Sequence, residues 1–115
     1  MKYLCLIYGD ESRRLTASKE EAAAMWNAYM EFGEDIQKSG HGLGGAALEP
    51  TSATTVVRVR DGKLSTTDGP FIETKEQLGG YYLIEAKDLN EAIQIAGRIP
   101  GAKVGAIEVR PIRGM

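Results

Sequence analysis

Residues 3–8, Tyr3-Leu4-Cys5-Leu6-Ile7-Tyr8, are apolar at both parities: Tyr3, Cys5 and Ile7 fall on one side of an extended chain, and Leu4, Leu6 and Tyr8 on the other. Two covered faces mark a strand in the middle of a sheet, so this segment predicts a central strand. Ser18-Lys19-Glu20-Glu21 is a capping box, in which the Ser18 hydroxyl accepts from the Glu21 amide while Glu21 reaches back. A helix is predicted from there, with Ala22, Met25, Tyr29, Phe32 and Ile36 at 3-4-3-4 spacing and Gly40 as its stop. Trp26, Met30 and Gly33 add a second, flanking stripe. Two occupants compete for so wide an apolar face, a second subunit and a broader core within the chain.

Further along, Gly42-Leu43-Gly44-Gly45-Ala46-Ala47-Leu48 predicts a small-residue strand where two backbones approach closely, followed by a loop through Glu49-Pro50 to Ser52. Residues 54–60 alternate, Asp61-Gly62 is a type I′ turn signal, and residues 63–67 return. A two-residue turn pairs Val59 with Leu64 and Val57 with Thr66; one step more puts Asp68 on that same face, expected to point inward, an unusual address for a carboxylate. Pro70 lacks an amide donor and breaks the strand. Thr74-Lys75-Glu76-Gln77 is a second capping box, so close to Gly79-Gly80 that it predicts one helical turn. Residues 81–86 repeat the two-faced pattern, with Tyr81 and Leu83 against Tyr82, Ile84 and Ala86, and predict the second central strand. Asp88-Leu89-Asn90-Glu91 caps a second long helix with Leu89, Ala92, Ile93, Ala96 and Ile99 on its face, ended by Pro100-Gly101. Residues 106–112 form the last strand, with Ile107 and Val109 inward.

This order is a ferredoxin-like split βαβ arrangement, an α+β fold, with a β-hairpin inserted in its middle. Both long helices are expected on one sheet face. The other face of the two central strands is apolar and no segment is left to cover it, so the expectation is a homodimer with sheets face to face.

Length and composition narrow the partners. The 115 residues fit one domain spanning 1–115. With 16 acidic and 14 basic residues the net charge is −2, without the basic footprint of a nucleic-acid binder. No apolar run approaches the ~18–20 residues needed to cross a bilayer, so no membrane role is expected. Cys5 stands alone, which excludes an intrachain disulfide and fits a cytoplasmic location. One His and one Cys cannot build a zinc site, and Gly42-Leu43-Gly44-Gly45 has neither P-loop nor dinucleotide spacing, so no metal and no cofactor are expected.

The stretch Thr67-Asp68-Gly69-Pro70-Phe71-Ile72-Glu73-Thr74-Lys75-Glu76-Gln77-Leu78-Gly79-Gly80-Tyr81-Tyr82 resembles the signature of the DGPF-type branch of the YCII-related proteins. The resemblance extends from Met1-Lys2-Tyr3 and Tyr8-Gly9-Asp10, through Gly44-Gly45-Ala46-Ala47-Leu48, to Ala106-Ile107-Glu108-Val109-Arg110-Pro111. It implies a ferredoxin-like subunit in a dimeric α+β barrel, small cytoplasmic bacterial proteins, and frequent gene neighbourhood with extracytoplasmic-function sigma factors. Some YCII relatives are similar to cofactor-free dehydrochlorinases with a proposed His–Asp acid–base pair. Asp68 corresponds to the Asp; the first helix here contains no His, and Met25-Trp26-Asn27-Ala28-Tyr29 occupies the comparable stretch.

The candidate catalytic residues are Asp68 and His41. For Asp68 two readings stand side by side: a turn bond to the following amides, and a partly desolvated carboxylate able to move a proton. His41, the sole histidine, is either a surface or helix-end residue or a partner in that chemistry. Tyr8, Phe71, Glu73, Lys75 and Tyr81 are the candidate substrate contacts, although the aromatics equally suit core packing and Glu73 and Lys75 equally suit a surface pair. Three functions follow as expectations. One is a cofactor-free acid–base enzyme of lyase or isomerase type acting on a small molecule. Another is a non-catalytic ligand-binding or regulatory module associated with a sigma factor. In the third, the DGPF run is only a turn completing a dimer interface.

Overall fold

The computed structural model describes residues 1–114. In chain order these form β1 (Lys2–Gly9), α1 (Glu11–Leu15), α2 (Lys19–Lys38), β2 (Gly42–Ala47), β3 (Thr55–Arg60), β4 (Lys63–Asp68), β5 (Gln77–Glu85), α3 (Leu89–Ala96) and β6 (Ala106–Pro111). Short 3₁₀ turns occupy Thr51–Ala53 and Pro100–Lys103. Strands β2, β5, β1 and β6 lie side by side in that order in an antiparallel sheet, while β3 and β4 pair only with each other. The fold is α+β, with β1 and β5 in the two inner positions that their two-faced patterns predict.

Register decides which side chains share a face. Tyr3 sits opposite Ile84 and Cys5 opposite Tyr82, and this side receives both long helices. Phe32 and Ile36 come from α2, Ala92, Ile95 and Ala96 from α3, and Ile99 from the turn beyond it. The Phe32 ring meets Tyr82 edge-on at 5.0 Å, the arrangement aromatic quadrupoles favour. Tyr29 also reaches over the core rim, its hydroxyl accepting from the Gly101 amide at 3.1 Å. Burial pushes the Cys5 thiol up to about 11, so it stays protonated and serves as a small apolar side chain.

The opposite sheet face carries Leu4, Leu6 and Tyr8 of β1, Leu83 and Tyr81 of β5, and Glu108 and Arg110 of β6. Among the described residues no helix packs across it. On α2, Trp26 and Met30 are exposed, so the core within the chain does not take up the second stripe. The α2 start follows its capping box: Glu21 N–H donates to Ser18 Oγ at 3.1 Å and Ser18 N–H to Glu21 Oε1 at 3.2 Å.

The inserted hairpin has the predicted register, Val59 opposite Leu64 and Val57 opposite Thr66. Asp61 and Gly62 adopt φ of 52° and 74°, the left-handed pair that a type I′ turn requires. Asp68 does share a face with Leu64 and Thr66, but that face is open to solvent within the chain rather than inward. The hairpin belongs to neither layer of the main sheet, and the molecule is a plate of 47 × 44 × 20 Å.

Four further points differ from the sequence-based expectation. Strand β5 begins at Gln77 rather than 81, because Gly79-Gly80 continues the strand: a Cβ on Gly80 would stand 2.9 Å from the Ala46 carbonyl oxygen, so glycine there permits close pairing with β2. Residues 74–77 form no helical turn; the Thr74 hydroxyl donates to the Glu76 carbonyl, and Gln77 Nε2 donates to the Thr74 carbonyl. Helix α1 was not expected, yet Asp10 caps it by accepting from the Ser12 amide at 3.0 Å. Helix α3 stops at Ala96 with Gly97 as C-cap and buries Ala92, Ile95 and Ala96, leaving Leu89 and Ile93 exposed.

Ile84 is fully buried at the centre of β5. Ile84→Ala is expected to cost about 2–5 kcal/mol and Ile84→Val about 0.5–1.5 kcal/mol, read as shifts in a urea unfolding midpoint.

Candidate functional site

Where β1 ends, three distant segments meet. Asp10 turns the chain into α1, which places Glu11 beside the turn after β2 and the first residue of β5. The Glu11 amide donates to Gln77 Oε1 at 2.9 Å. Its carboxylate accepts from the Thr51 amide at 3.1 Å and also from the Thr51 hydroxyl. Nearby, Arg14 of α1 donates to the Leu48 carbonyl at 3.5 Å, and the Leu48 amide donates to the Gly79 carbonyl. Helix α1 is thus fastened to both the β2 exit and the β5 entry.

Beside this clamp lies a cleft of about 470 Å³. Pro70, Ile72 and Glu73 of the loop after Asp68 line it together with Glu11, Thr51 and Gln77. Gly69 makes the reversal that brings the loop there, with φ of 99° and its amide donating to the Thr54 carbonyl at 2.8 Å. The Thr51 hydroxyl and amide hold the Glu11 carboxyl below the usual glutamate range. Glu11 is therefore a fixed anion at neutral pH, suited to holding a cation or a hydrogen-bond donor and unsuited to carrying a proton. Glu73 adds a second carboxylate, and Leu15 and Ile72 add apolar surface.

The sequence-derived candidates are spread over the molecule. Glu73 lines the cleft. Asp68 ends β4 opposite Thr55, exposed, on the far side of the Gly69 reversal. Phe71 is exposed, and the Arg58 guanidinium lies 5.2 Å over its ring. Lys75 is exposed on the same loop. Tyr8 and Tyr81 belong to the uncovered sheet face, next to Ala106 and Leu6 respectively. Desolvation, then a hydrogen bond with Glu108, raises the Tyr8 pKa.

His41 sits at the other end of the sheet. Its Nδ1 is 2.7 Å from Ser39 Oγ, its Nε2 is 3.4 Å from Glu91 Oε1, and its carbonyl accepts from the Glu85 amide. Glu85 and Gln77 are the two ends of β5, a strand of nine residues, or roughly 25 Å at ~3.3 Å per residue. Within one chain His41 therefore does not join the cleft, and it knots together the ends of α2, β2 and α3 instead. Among the described residues no three His, Cys, Asp or Glu side chains are grouped to hold a metal ion, and no helix is long and apolar enough to cross a membrane.

Glu11, Thr51 and Gln77 escaped the sequence reading. Asp10-Glu11-Ser12 carries the signal of a helix N-cap followed by an acidic first turn. Nothing local points from Glu11 to Thr51, 40 positions away.

Comparison with known proteins places the chain. The model of the YCII-related domain matches residues 1–115, and the chain belongs to that family. An uncharacterized protein of Rhizobium meliloti is 39% identical, over 97% of this chain and 92% of the relative.

The Glu11 clamp has a pH signature. A carboxyl whose folded pKa lies below its unfolded value contributes stability above the unfolded pKa, and that contribution disappears as pH falls through the folded one. Glu11→Gln should lower the thermal midpoint at neutral pH, and the gap from wild type should close on acidification below the ordinary glutamate range. Thermal melts across that pH series check it.

Proposed function

We propose that this YCII-related chain is a small-molecule protein whose ligand occupies the cleft at the DGPF turn. The observation carrying this reading is that the motif's own residues, Pro70, Ile72, Glu73 and Gln77, converge with Glu11 on one cavity. A cleft lined by an anion already fixed by its neighbours, a second carboxylate and apolar side chains suits a small organic molecule. Its cationic or hydroxyl group faces Glu11 and Glu73, and its carbon skeleton packs on Leu15 and Ile72.

Acid–base chemistry without a cofactor is the activity this arrangement fits. Glu11 is held ionised and anchors the ligand, so proton transfer falls to the carboxylates that flank the turn, Glu73 in the cleft and Asp68 at the end of β4. The working unit is a homodimer in which two subunits of ferredoxin-like split βαβ topology bring their open sheet faces together as a dimeric α+β barrel. In support, Leu4, Leu6, Leu83 and Tyr81 form an apolar face that no helix covers among the described residues, and burial of such a face drives association.

A thermal-shift screen of small metabolites tests the site, because a ligand that binds the folded state raises its midpoint. A hit should lose most of its shift in Glu73→Gln and in Glu11→Gln, while Asp68→Asn should keep binding and lose turnover of that hit. Full shifts in both glutamate variants would reject the cleft, and undiminished turnover in Asp68→Asn would reject Asp68. Sedimentation of the wild type at micromolar concentration should give the dimer mass.

A further inference from the structure

We infer that the β3–β4 hairpin is a dimerisation arm, whose Val57, Val59 and Leu64 face lies against a second copy of this chain. The inference rests on the homodimer reading above and adds the element that makes the contact sufficient.

The hairpin is covered on the wrong side for a monomer. Its two faces are set by register: Val57, Val59, Leu64 and Thr66 on one, Val56, Arg58, Ser65 and Thr67 on the other. The second face is the one the chain partly covers, with Val56 and Arg58 half-buried and the Arg58 guanidinium stacked over Phe71. The first holds the larger apolar surface and is left open, with Val57 and Val59 each 58% exposed and Leu64 70%. A two-stranded ribbon is marginal in water unless a hydrophobic face is packed. Only the hairpin's last residue is followed by a tie to its own base, the Gly69 amide on the Thr54 carbonyl.

The molecule's dimensions agree. The radius of gyration is 16.1 Å, against about 13 Å for a compact chain of this length. The excess belongs to a flat plate carrying an outlying ribbon, a shape that becomes compact when two copies clasp.

Area selects the occupant. Four strands ~4.8 Å apart and about six residues long at ~3.3 Å per residue offer roughly 400 Å² of sheet face. Two such faces bury roughly 800 Å² in total, no more than a packing contact, whereas a specific interface needs about 1,000 Å² or more. The hairpin face adds roughly 200 Å² per copy by the same spacing. Counting each arm's own face once, one arm per copy of the two-fold pair, the total reaches roughly 1,200 Å². Arg58, Arg60 and Lys63 against Asp61 and Asp68 leave the arm a single net positive charge, too little to recruit a nucleic acid or a strongly acidic partner.

The arm continues directly into the wall of the cleft through Asp68, Gly69 and Pro70. Docking it on a second copy therefore fixes that wall and places Asp68 at the edge of the contact, away from bulk water.

The test is Val59→Lys with Leu64→Glu. These residues face each other across the hairpin, so the new pair of opposite charges preserves the ribbon while removing its apolar face. Analytical ultracentrifugation should show the dimer dissociation constant raised at least tenfold, with the far-UV circular dichroism of the wild type retained. In wild-type protein, amide exchange at residues 56–67 should slow as concentration rises through the dimerisation range. A wild-type dimer whose dissociation constant is unchanged in the double variant, or whose hairpin exchanges equally fast in monomer and dimer, overturns the arm and leaves the homodimer reading standing. A wild type that stays monomeric overturns both.

Discussion

Everything in this fold follows from two inner strands that are apolar on both faces and helices enough for one. Strands β1 and β5 hold the centre of the sheet, and the side bearing Tyr3, Cys5 and Ile84 takes α2 and α3. That packing commits the ends of the strands as well. Once β1 is fixed antiparallel to β5, Gly9 must emerge beside Gln77, and α1, which follows at once, must land at the entry to β5. The cleft forms at this corner, where β1 ends beside the start of β5.

The corner's chemistry is a division between two carboxylates. Glu11 accepts from Thr51 at both of its oxygens, which holds its carboxyl below the usual glutamate range. Glu73 arrives from the loop that Gly69 and Pro70 redirect, free of such a clamp. The DGPF run is thus both a turn and the start of the loop that lines the cleft with Pro70, Ile72 and Glu73. His41 has a different task at the opposite end of the sheet, where Ser39 and Glu91 hold it between the ends of two helices.

Features written in adjacent residues were legible in the sequence. The capping box at Ser18, the Asp61-Gly62 turn with its register and the two-faced strands each depend on contacts within a few positions or on a simple parity. Features written between distant residues were not. Gly79-Gly80 reads locally as a break, and only the close approach of Ala46 explains why glycine is needed inside a strand. Thr74 and Gln77 satisfy the capping-box pattern but use their side chains to close a loop instead, donating to the Glu76 and Thr74 carbonyls. On α3 and just beyond it the periodicity finds Ala92, Ala96 and Ile99, but Leu89 and Ile93 are as apolar as Ile95, and the sheet's position selects among them. Glu11 carries no local signal because its partners are Thr51 and Gln77, one on each side of an inserted hairpin.

The solitary thiol has a last implication. Cys5 points into the helix-covered side of β1, fully buried, with its pKa raised to about 11. It therefore faces away from the sheet surface on which two copies would meet, and it offers almost no thiolate at neutral pH. Oxidants cannot staple copies together through it, so any pairing of these chains answers to concentration alone and stays reversible by dilution. Labelling of that sulfur, in turn, proceeds only when β1 itself opens, which makes it a clock for the rarest excursion the fold undergoes.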